Sequence, residues 1–281
     1  MGARQNSFSL LSISQARALI ACFFSADIVL AVAYLFLFLH GNPIGSQQPG
    51  MFDLDGEANV PAWYSATKLF VVALCIYFYG RFILLSDKVA GWLILAGAAL
   101  FAYLSMDEGS ELHEKFGNRL TLLVTDGVGR TETPFEITGL WMVFFGPPLL
   151  LALIGGIVFL RKRLSIGSDI FGKALAGAII FVIAAAPGDI LVNYVSGDAH
   201  VIQTAFEEFS EMIGVTLILW AAMTLLAQQQ PFVMSEALAK APARTPEKSV
   251  ERTPAPQEVP AIGGGGGHVL APARAHPRQS A

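Results

Sequence analysis

Residues 18–39 read ALIACFFSADIVLAVAYLFLFL, an apolar run interrupted by a single charged residue, Asp27. At about 1.5 Å per helical residue, about 20 such residues cross the ~30 Å hydrocarbon core of a bilayer. A cleaved signal peptide is the alternative, but its apolar region is usually only about 7–15 residues long. We therefore expect this run to be retained as a membrane helix, whereas cleavage would leave five spans.

Further segments share this length and apolar character. Backbone polar groups in lipid must be satisfied within the segment, which excludes open strands. The predicted spans are residues 18–39, 66–85, 89–106, 140–160, 174–194 and 201–226. The predicted fold class is therefore all-α: a polytopic membrane helix bundle with six transmembrane helices.

The composition of the chain agrees with this fold and excludes several classes of protein. Of the 281 residues, 54% are hydrophobic and 14% are charged, compared with roughly 25% charged residues in soluble domains. Mean hydropathy is +0.55 and net charge is −4, which argues against a nucleic-acid binder, a disordered protein and a typical cytosolic enzyme. The lipid bilayer is the partner that this composition implies, and partner proteins stay unassigned.

The composition changes near residue 228. Residues 231–281 are rich in Pro, Ala and Gly and contain a run of glycines at 263–267. Such a segment cannot bury enough apolar surface to offset its ordering entropy. We therefore divide the chain into a six-helix transmembrane domain, residues 1–228, and a disordered cytoplasmic tail, residues 229–281.

The distribution of basic residues predicts the orientation. Arg4 and Arg17 precede the first span and residues 161–163 read RKR after the fourth, whereas residues 40–65 contain no Lys or Arg. Cytoplasmic loops are enriched in Lys and Arg. Both termini are therefore expected on the cytoplasmic side, and the tail composition favours a bacterial inner membrane.

Acidic residues gather where the third, fifth and sixth predicted spans approach the extracytoplasmic surface. One charge at a helix centre costs about 2.5–3.5 kcal/mol on insertion scales, so these acids should face the bundle interior or a water-filled cavity. Helical spacing groups them into one stripe per helix. The stripes comprise Asp107, Ser110, Glu111 and Glu114 on the third helix, Asp189 and Asn193 on the fifth, and Glu207, Glu208 and Glu211 on the sixth.

The basic residues near these acids are too few to neutralise them. Lys68 is one of them, and it is predicted near the extracytoplasmic end of the second span. Either some carboxylates are protonated or a cation lies among them. Oxygen ligands suit Mg²⁺, Ca²⁺ or Mn²⁺, and a histidine admits Zn²⁺ or iron. The predicted ligands of one divalent metal ion are Asp107, Glu111, His113, Asp189, Glu207 and Glu211, with polar support from Glu108, Ser110, Glu114, Asn193, Glu208 and Asp27. A purely structural acidic patch is the alternative interpretation.

Asp27 has only Ser25 and Tyr34 as near polar companions on its own segment. It is either a buried, hydrogen-bonded acid or part of a proton path. Below the acidic cluster the spans are mostly apolar, which favours a site open to one side over a continuous path through the membrane.

Several functions are consistent with these observations. The leading hypothesis is an outward-facing intramembrane cluster of carboxylates and histidine that binds a cation or a polar substrate. A metal-dependent membrane enzyme acting on a lipid-like substrate is one alternative. A proton- or cation-coupled transporter, with Asp27 and Asp189 on its path, is another. A third alternative is an accessory subunit whose acidic belt contacts partner proteins. The sequence assigns no catalytic residue.

Overall fold

The computed structural model describes residues 11–40, 50–56, 58–129, 133–136 and 141–240. These residues form seven α-helices and no strand, which confirms the predicted all-α class. The helices are α1 (Ile13–Leu39), α2 (Val60–Ile83), α3 (Lys88–Glu108), α4 (Leu112–Val124), α5 (Trp141–Leu164), α6 (Ser168–Leu191) and α7 (Asp198–Lys240). All except α4 are long and apolar enough to cross a membrane, so the described chain has the architecture of a multi-pass membrane protein with six spans.

Capping residues set where the helices begin. The Ser12 hydroxyl accepts a hydrogen bond from the backbone N–H of Gln15, whose side chain accepts one from the Ser12 N–H in return. Asn59 caps α2, and Pro61 follows in its first turn. Proline has no backbone N–H, but a first-turn N–H makes no hydrogen bond within the helix, so nothing is lost there. Asp87 caps α3. Helices α1 and α2 therefore begin before the apolar runs that predict them.

Helix α7 lies at the centre of the bundle. In the most apolar stretch of α7, 56% of the residues are buried, compared with 6% in that of the Phe144–Leu164 span in α5. Val215, Leu219 and Ala222 of α7 belong to the main buried cluster, which also includes residues of α1, α2, α3 and α6. Packing against α1, α2 and α6 places α7 where it can complete a site between those helices.

Two glycines bring the backbones of α6 and α7 together. A Cβ atom on Gly177 would lie 2.6 Å from the carbonyl oxygen of Gly214, and one on Gly214 would lie 2.7 Å from the backbone nitrogen of Phe181. Backbone atoms cannot move aside as a flexible side chain can, so both positions require glycine. This contact fixes the position of α7 against its neighbour.

The helix predicted to continue through residue 114 is interrupted. Helix α3 ends at Glu108, Gly109 follows as its C-cap, and Glu111 adopts a left-handed conformation with φ of 51° before α4 begins. The predicted single stripe of Asp107, Ser110, Glu111 and Glu114 is therefore wrong, because these residues do not share one helix. Helix α4 has 13 residues, too few for a span.

Helix α7 continues to Lys240, past the boundary predicted at residue 228, and the division into two domains stays a prediction. The rest of the predicted tail, residues 241–281, lies outside the described residues, so its disorder stays a prediction. The two ends of the bundle differ in their connections. We call the end with the α1–α2 and α6–α7 connections the loop end, and the end with the short α2–α3 and α5–α6 connections the turn end.

Candidate functional site

A buried ion pair joins α1 to α2 in the interior of the bundle. The Nζ atom of Lys68 lies 2.7 Å from Oδ1 of Asp27, and the two side chains are 1% and 0% exposed, respectively. Both helices are apolar enough to span a membrane. An isolated charge is costly in such surroundings. Each of these two groups can be charged because the other neutralises it.

Helix α7 and a tyrosine of α2 complete the hydrogen bonding of this pair. Thr216 Oγ1 donates to Asp27 Oδ2 at 2.7 Å, and the Tyr64 hydroxyl donates to Asp27 Oδ1 at 2.7 Å. The Lys68 ammonium also donates to the Met212 carbonyl oxygen at 2.8 Å and to Thr216 Oγ1 at 3.3 Å. We call Asp27, Tyr64, Lys68 and Thr216 the Asp27 network, and it ties α1, α2 and α7 together.

This arrangement decides one of the questions that the sequence left open. Asp27 is a buried, hydrogen-bonded acid, which confirms one of its two interpretations, while its place on a proton path stays a prediction. Its expected companion Ser25 instead donates to the Ala21 carbonyl oxygen of its own helix at 2.9 Å. Lys68 was expected near the end of the second span, yet its charge lies inside the bundle.

The described residues of the α1–α2 connection, 50–56, pack against α1 and α7 at the loop end of this network. Asp53 and Leu54 are 5% and 6% exposed, and Leu54 packs with Leu30, Tyr34 and Met212. Tyr34 lies two helical turns beyond Asp27 on α1, a rise of about 10 Å towards the loop end. The described residues of this loop therefore cover the loop end of the Asp27 network.

Polar groups surround Tyr34 between the loop and the network. The Tyr34 hydroxyl lies within electrostatic range of Asp53, Asp55 and Glu208, and close to Thr204. Asp55 Oδ2 in turn lies 3.4 Å from His200 Nε2. Desolvation by its surroundings raises the pKa of Asp55, and the neighbouring His200 opposes that shift. The described part of the loop end thus places His200 beside several acids.

The predicted site residues at the α3–α4 junction make local contacts, and only Asp107 and His113 contact each other in this set. Asp107 Oδ2 lies 2.8 Å from His113 Nδ1, and Asp107 Oδ1 accepts the His113 backbone N–H at 2.7 Å. Glu111 lies 3.9 Å from the Lys115 ammonium. The Ser110 hydroxyl donates to the Met106 carbonyl oxygen. These contacts stabilise the turn between α3 and α4.

The predicted ligands of α6 and α7 lie at the loop end of those helices. The Gln203 amide donates to the Gly188 carbonyl oxygen at 3.2 Å and to the Glu207 carboxylate. A Cβ on Gly188 would collide with the Glu207 carboxyl group, which shows how closely α7 approaches α6. Glu207, Glu208 and Glu211 are half-buried. Asn193 lies just beyond the end of α6, and its side chain donates to the Ile190 carbonyl oxygen at 3.3 Å.

The side chains of Asp189 and Glu114 lie outside the described residues. Within the described part of the chain, no group of three or more His, Cys, Asp or Glu side chains is placed to hold a metal ion. Glu108 lies within electrostatic range of Lys68, and its supporting role in the predicted polar cluster stays a prediction. The metal-binding set of Asp107, Glu111, His113, Asp189, Glu207 and Glu211 stays a prediction.

A signal for the Asp27 network was present in the sequence. Tyr64 and Lys68 are one helical turn apart on α2, and Lys68 is followed by a long apolar segment. If the helix begins well before this lysine, as α2 does at Val60, the ammonium group lies inside the apolar segment. It then needs an acidic partner there. Asp27 is the acid that occupies a comparable depth in α1.

Comparison with known proteins gives one match. A family model described as a domain of unknown function, DUF8692, matches residues 21–227, a range that contains the whole Asp27 network. No curated protein and no solved structure shows significant similarity to the chain.

Proposed function

The chain belongs to the DUF8692 family, a domain of unknown function, and we propose that it is a proton-coupled membrane transporter whose coupling site is the Asp27 network. The observation that carries the proposal is the ion pair of Asp27 and Lys68, which is closed by Thr216 from a third spanning helix. Intramembrane ionisable groups of this kind are typical of proton relays and ion pathways.

The chemistry of the pair suits proton binding. Both members are titratable, and protonation of Asp27 or deprotonation of Lys68 removes the attraction between them. A buried charge whose partner is lost is destabilised by about 3–5 kcal/mol. That free energy is enough to shift the balance between two arrangements of α1, α2 and α7, since a few kcal/mol separates major from minor conformations.

The polar residues near the network support access from the loop end. Thr204, Glu208, Met212 and Thr216 follow one another at four-residue steps, which places them along one face of α7. Tyr34 and Leu54, the latter in the described part of the α1–α2 connection, lie beside the loop end of this face. Towards the turn end, α7 contributes apolar residues such as Leu219 and Met223 to the buried core. This asymmetry fits a site that faces one side of the membrane at a time.

In this proposal the proton is the cation bound by the outward-facing site. The loop end is taken as extracytoplasmic and both termini as cytoplasmic, on the strength of the Lys and Arg distribution, in a bacterial inner membrane. The alternative of a metal-dependent enzyme acting on a lipid-like substrate gains no support from the described side chains. Proton binding by the network can be tested independently of the transported substrate.

The proposal can be tested by measuring charge movement in response to a pH jump on proteoliposomes adsorbed to a solid-supported membrane. Wild-type protein should give a transient displacement current as the network binds or releases protons. Asp27→Asn and Lys68→Met should abolish that current. Asp169→Asn is the matched control, because Asp169 is an acid in the first turn of α6 whose side chain is 79% exposed.

A milder variant separates loss of function from loss of fold. Tyr64→Phe removes one donor to Asp27 but leaves the ion pair. We expect a folded protein that retains the current with an altered half-maximal pH. A full wild-type current in folded Asp27→Asn protein would refute the proposal.

A further inference from the structure

An apolar cavity of about 290 Å³ lies between α2, α3, α5, α6 and α7. Its volume is close to the lower limit of ~300–1,000 Å³ for small-ligand sites. The wall includes Leu93, Leu100, Leu153, Ile157, Phe171 and Leu225, and no described residue of the Asp27 network lines it. The cavity is therefore a feature independent of the proposed coupling site.

Glycines keep the cavity open. Gly97 of α3 and Gly156 of α5 both line it, and a Cβ atom on either would have no other heavy atom within 4 Å. Along α3 the cavity extends from Leu93 to Phe101, a rise of about 12 Å. One leaflet of the ~30 Å hydrocarbon core is about 15 Å deep. The cavity thus matches the depth of one leaflet, on the side of the turn end.

Basic residues lie where the cavity reaches the turn end. Leu160 and Ile166 line the cavity on either side of residues 161–163. The Arg161 guanidinium lies 4.0 Å from the centre of the Phe171 ring, and Phe171 is itself part of the cavity wall. A cation is therefore fixed at the edge of an apolar cavity.

The basic residues of this end differ in whether an acid already neutralises them. Arg163 pairs with Asp87 at 2.6 Å, and Lys173 pairs with Asp169. In the described part of the chain, no carboxylate pairs with Arg161 or with its neighbour Lys162. Guanidinium and ammonium groups are the side chains that bind phosphate most strongly.

We propose that this cavity holds an acyl chain of an anionic phospholipid whose phosphate is bound by Arg161 and Lys162. The wall is almost entirely apolar and suits hydrocarbon better than water or a polar ligand, and the surrounding bilayer supplies hydrocarbon chains. Cytoplasmic leaflets carry anionic lipids, which attract basic residues next to a span. The bound lipid fills the space between α3 and α5 and holds α5 against the rest of the bundle.

The cavity can be tested by native mass spectrometry of the full chain released from nanodiscs that contain equal amounts of phosphatidylglycerol and phosphatidylcholine with identical acyl chains. Wild-type protein should retain phosphatidylglycerol in preference to phosphatidylcholine. Gly97→Leu and Gly156→Leu should each lose the retained lipid, because the new side chain fills the cavity. Gly155→Leu is the matched control, since Gly155 is exposed, does not line the cavity, and receives the same added volume.

A second pair of variants tests the headgroup. Arg161→Gln and Lys162→Gln should each lower the preference for phosphatidylglycerol by roughly fivefold, as expected for about 1 kcal/mol per basic residue. Arg81→Gln, an exposed basic residue in the last turn of α2 at the same end, should leave it unchanged. Equal retention of both lipids by wild-type protein, unchanged retention in Gly156→Leu, or an equal effect of Arg81→Gln would each overturn the proposal.

Discussion

The Asp27 network and the Asp107–His113 pair each hold an acid close to a base, but they are assembled from very different parts of the chain. Lys68 and Thr216 are 41 and 189 residues away from Asp27, whereas His113 is 6 residues away from Asp107. The Asp27 and Lys68 side chains are at most 1% exposed, whereas the His113 side chain is 29% exposed. The network requires three packed helices, while the pair requires only the turn between α3 and α4.

This difference shows what kind of acid indicates a site in a membrane bundle. Acids that crowd near helix ends have nearby backbone N–H groups, basic residues and water, and Asp107 uses two of these. A single acid within an apolar run has none of them on its own helix. Asp27 is therefore informative because it is isolated, since only tertiary partners can neutralise it.

The largest expected effect comes from breaking the buried pair. Lys68→Met leaves the Asp27 carboxylate without its counter-charge, and removal of one partner from a buried pair costs about 3–5 kcal/mol. Asp107→Ala, at the other site, should cost only about 1 kcal/mol, as expected for the loss of a helix-capping side chain. Both free energies of unfolding can be measured by titration with sodium dodecyl sulfate in mixed micelles.

A double variant shows whether the network is there for stability. Asp27→Leu combined with Lys68→Met should recover much of the lost stability, because apolar replacement of a buried ion pair is often neutral or favourable. The pH-jump current should still be absent in this folded protein. If Lys68→Met costs no more than Asp107→Ala, the proposed contrast between the two sites does not hold.

The next largest effect should come from the glycine contact that positions α7. Gly214→Ala places a Cβ 2.7 Å from the Phe181 backbone nitrogen, and such overpacking costs about 1–3 kcal/mol. The displacement should reach Thr216 and diminish the pH-jump current, while α4 keeps its hydrogen-exchange protection. Gly155→Ala is the control, because its Cβ enters open space and Gly155 does not line the cavity. Equal stability of Gly214→Ala and wild-type protein would show that α7 is not held by this contact.

Much of the fold could be predicted from the sequence, because each span is a long, mostly apolar run whose length is set by the bilayer. The break at Gly109 was not predictable from helical phase, since residues on both sides of it suit a helix. Helix α4 was missed for a related reason. Its 13 residues mix apolar and charged side chains, so it does not stand out as a span and reads as a continuation of α3.

The site was harder to predict, and Lys68 shows why. With the second span predicted to begin at Ala66, Lys68 falls near the membrane surface, where it needs no partner. The cap at Asn59 starts α2 at Val60 instead, which places Lys68 about two turns inside the helix. Its pairing with Asp27 further depends on how α1, α2 and α7 rotate against one another, and one sequence does not specify that rotation.

A smaller, local effect should follow from changing the junction of α3 and α4. Asp107→Ala removes the acceptor of the His113 backbone N–H. Hydrogen exchange of the first amides of α4 should become faster by roughly fivefold, which corresponds to a cap contribution of about 1 kcal/mol. The pH-jump current should be unchanged. A strong loss of current in this variant would mean that the junction and the Asp27 network act together.

The smallest expected effect concerns the loop that covers the network, and its sign follows from Asp55. Because desolvation raises the pKa of Asp55 above its ordinary value of 3.8, the folded state binds this proton more tightly than the unfolded state. The stabilisation is complete below the ordinary pKa and is lost as pH rises through the raised value. The side chain of Asp55→Asn cannot ionise, so the Tm of this variant should match that of wild type near pH 3 and exceed it slightly at pH 7.

Thermal unfolding across this pH range checks the sign. His200→Gln should enlarge the loss of stability with rising pH, because His200 opposes the rise in the pKa of Asp55. A lower Tm for Asp55→Asn at pH 7 would instead mean that the His200 contact outweighs desolvation, and the loop would then be held by charge, as the Asp27 network beneath it is.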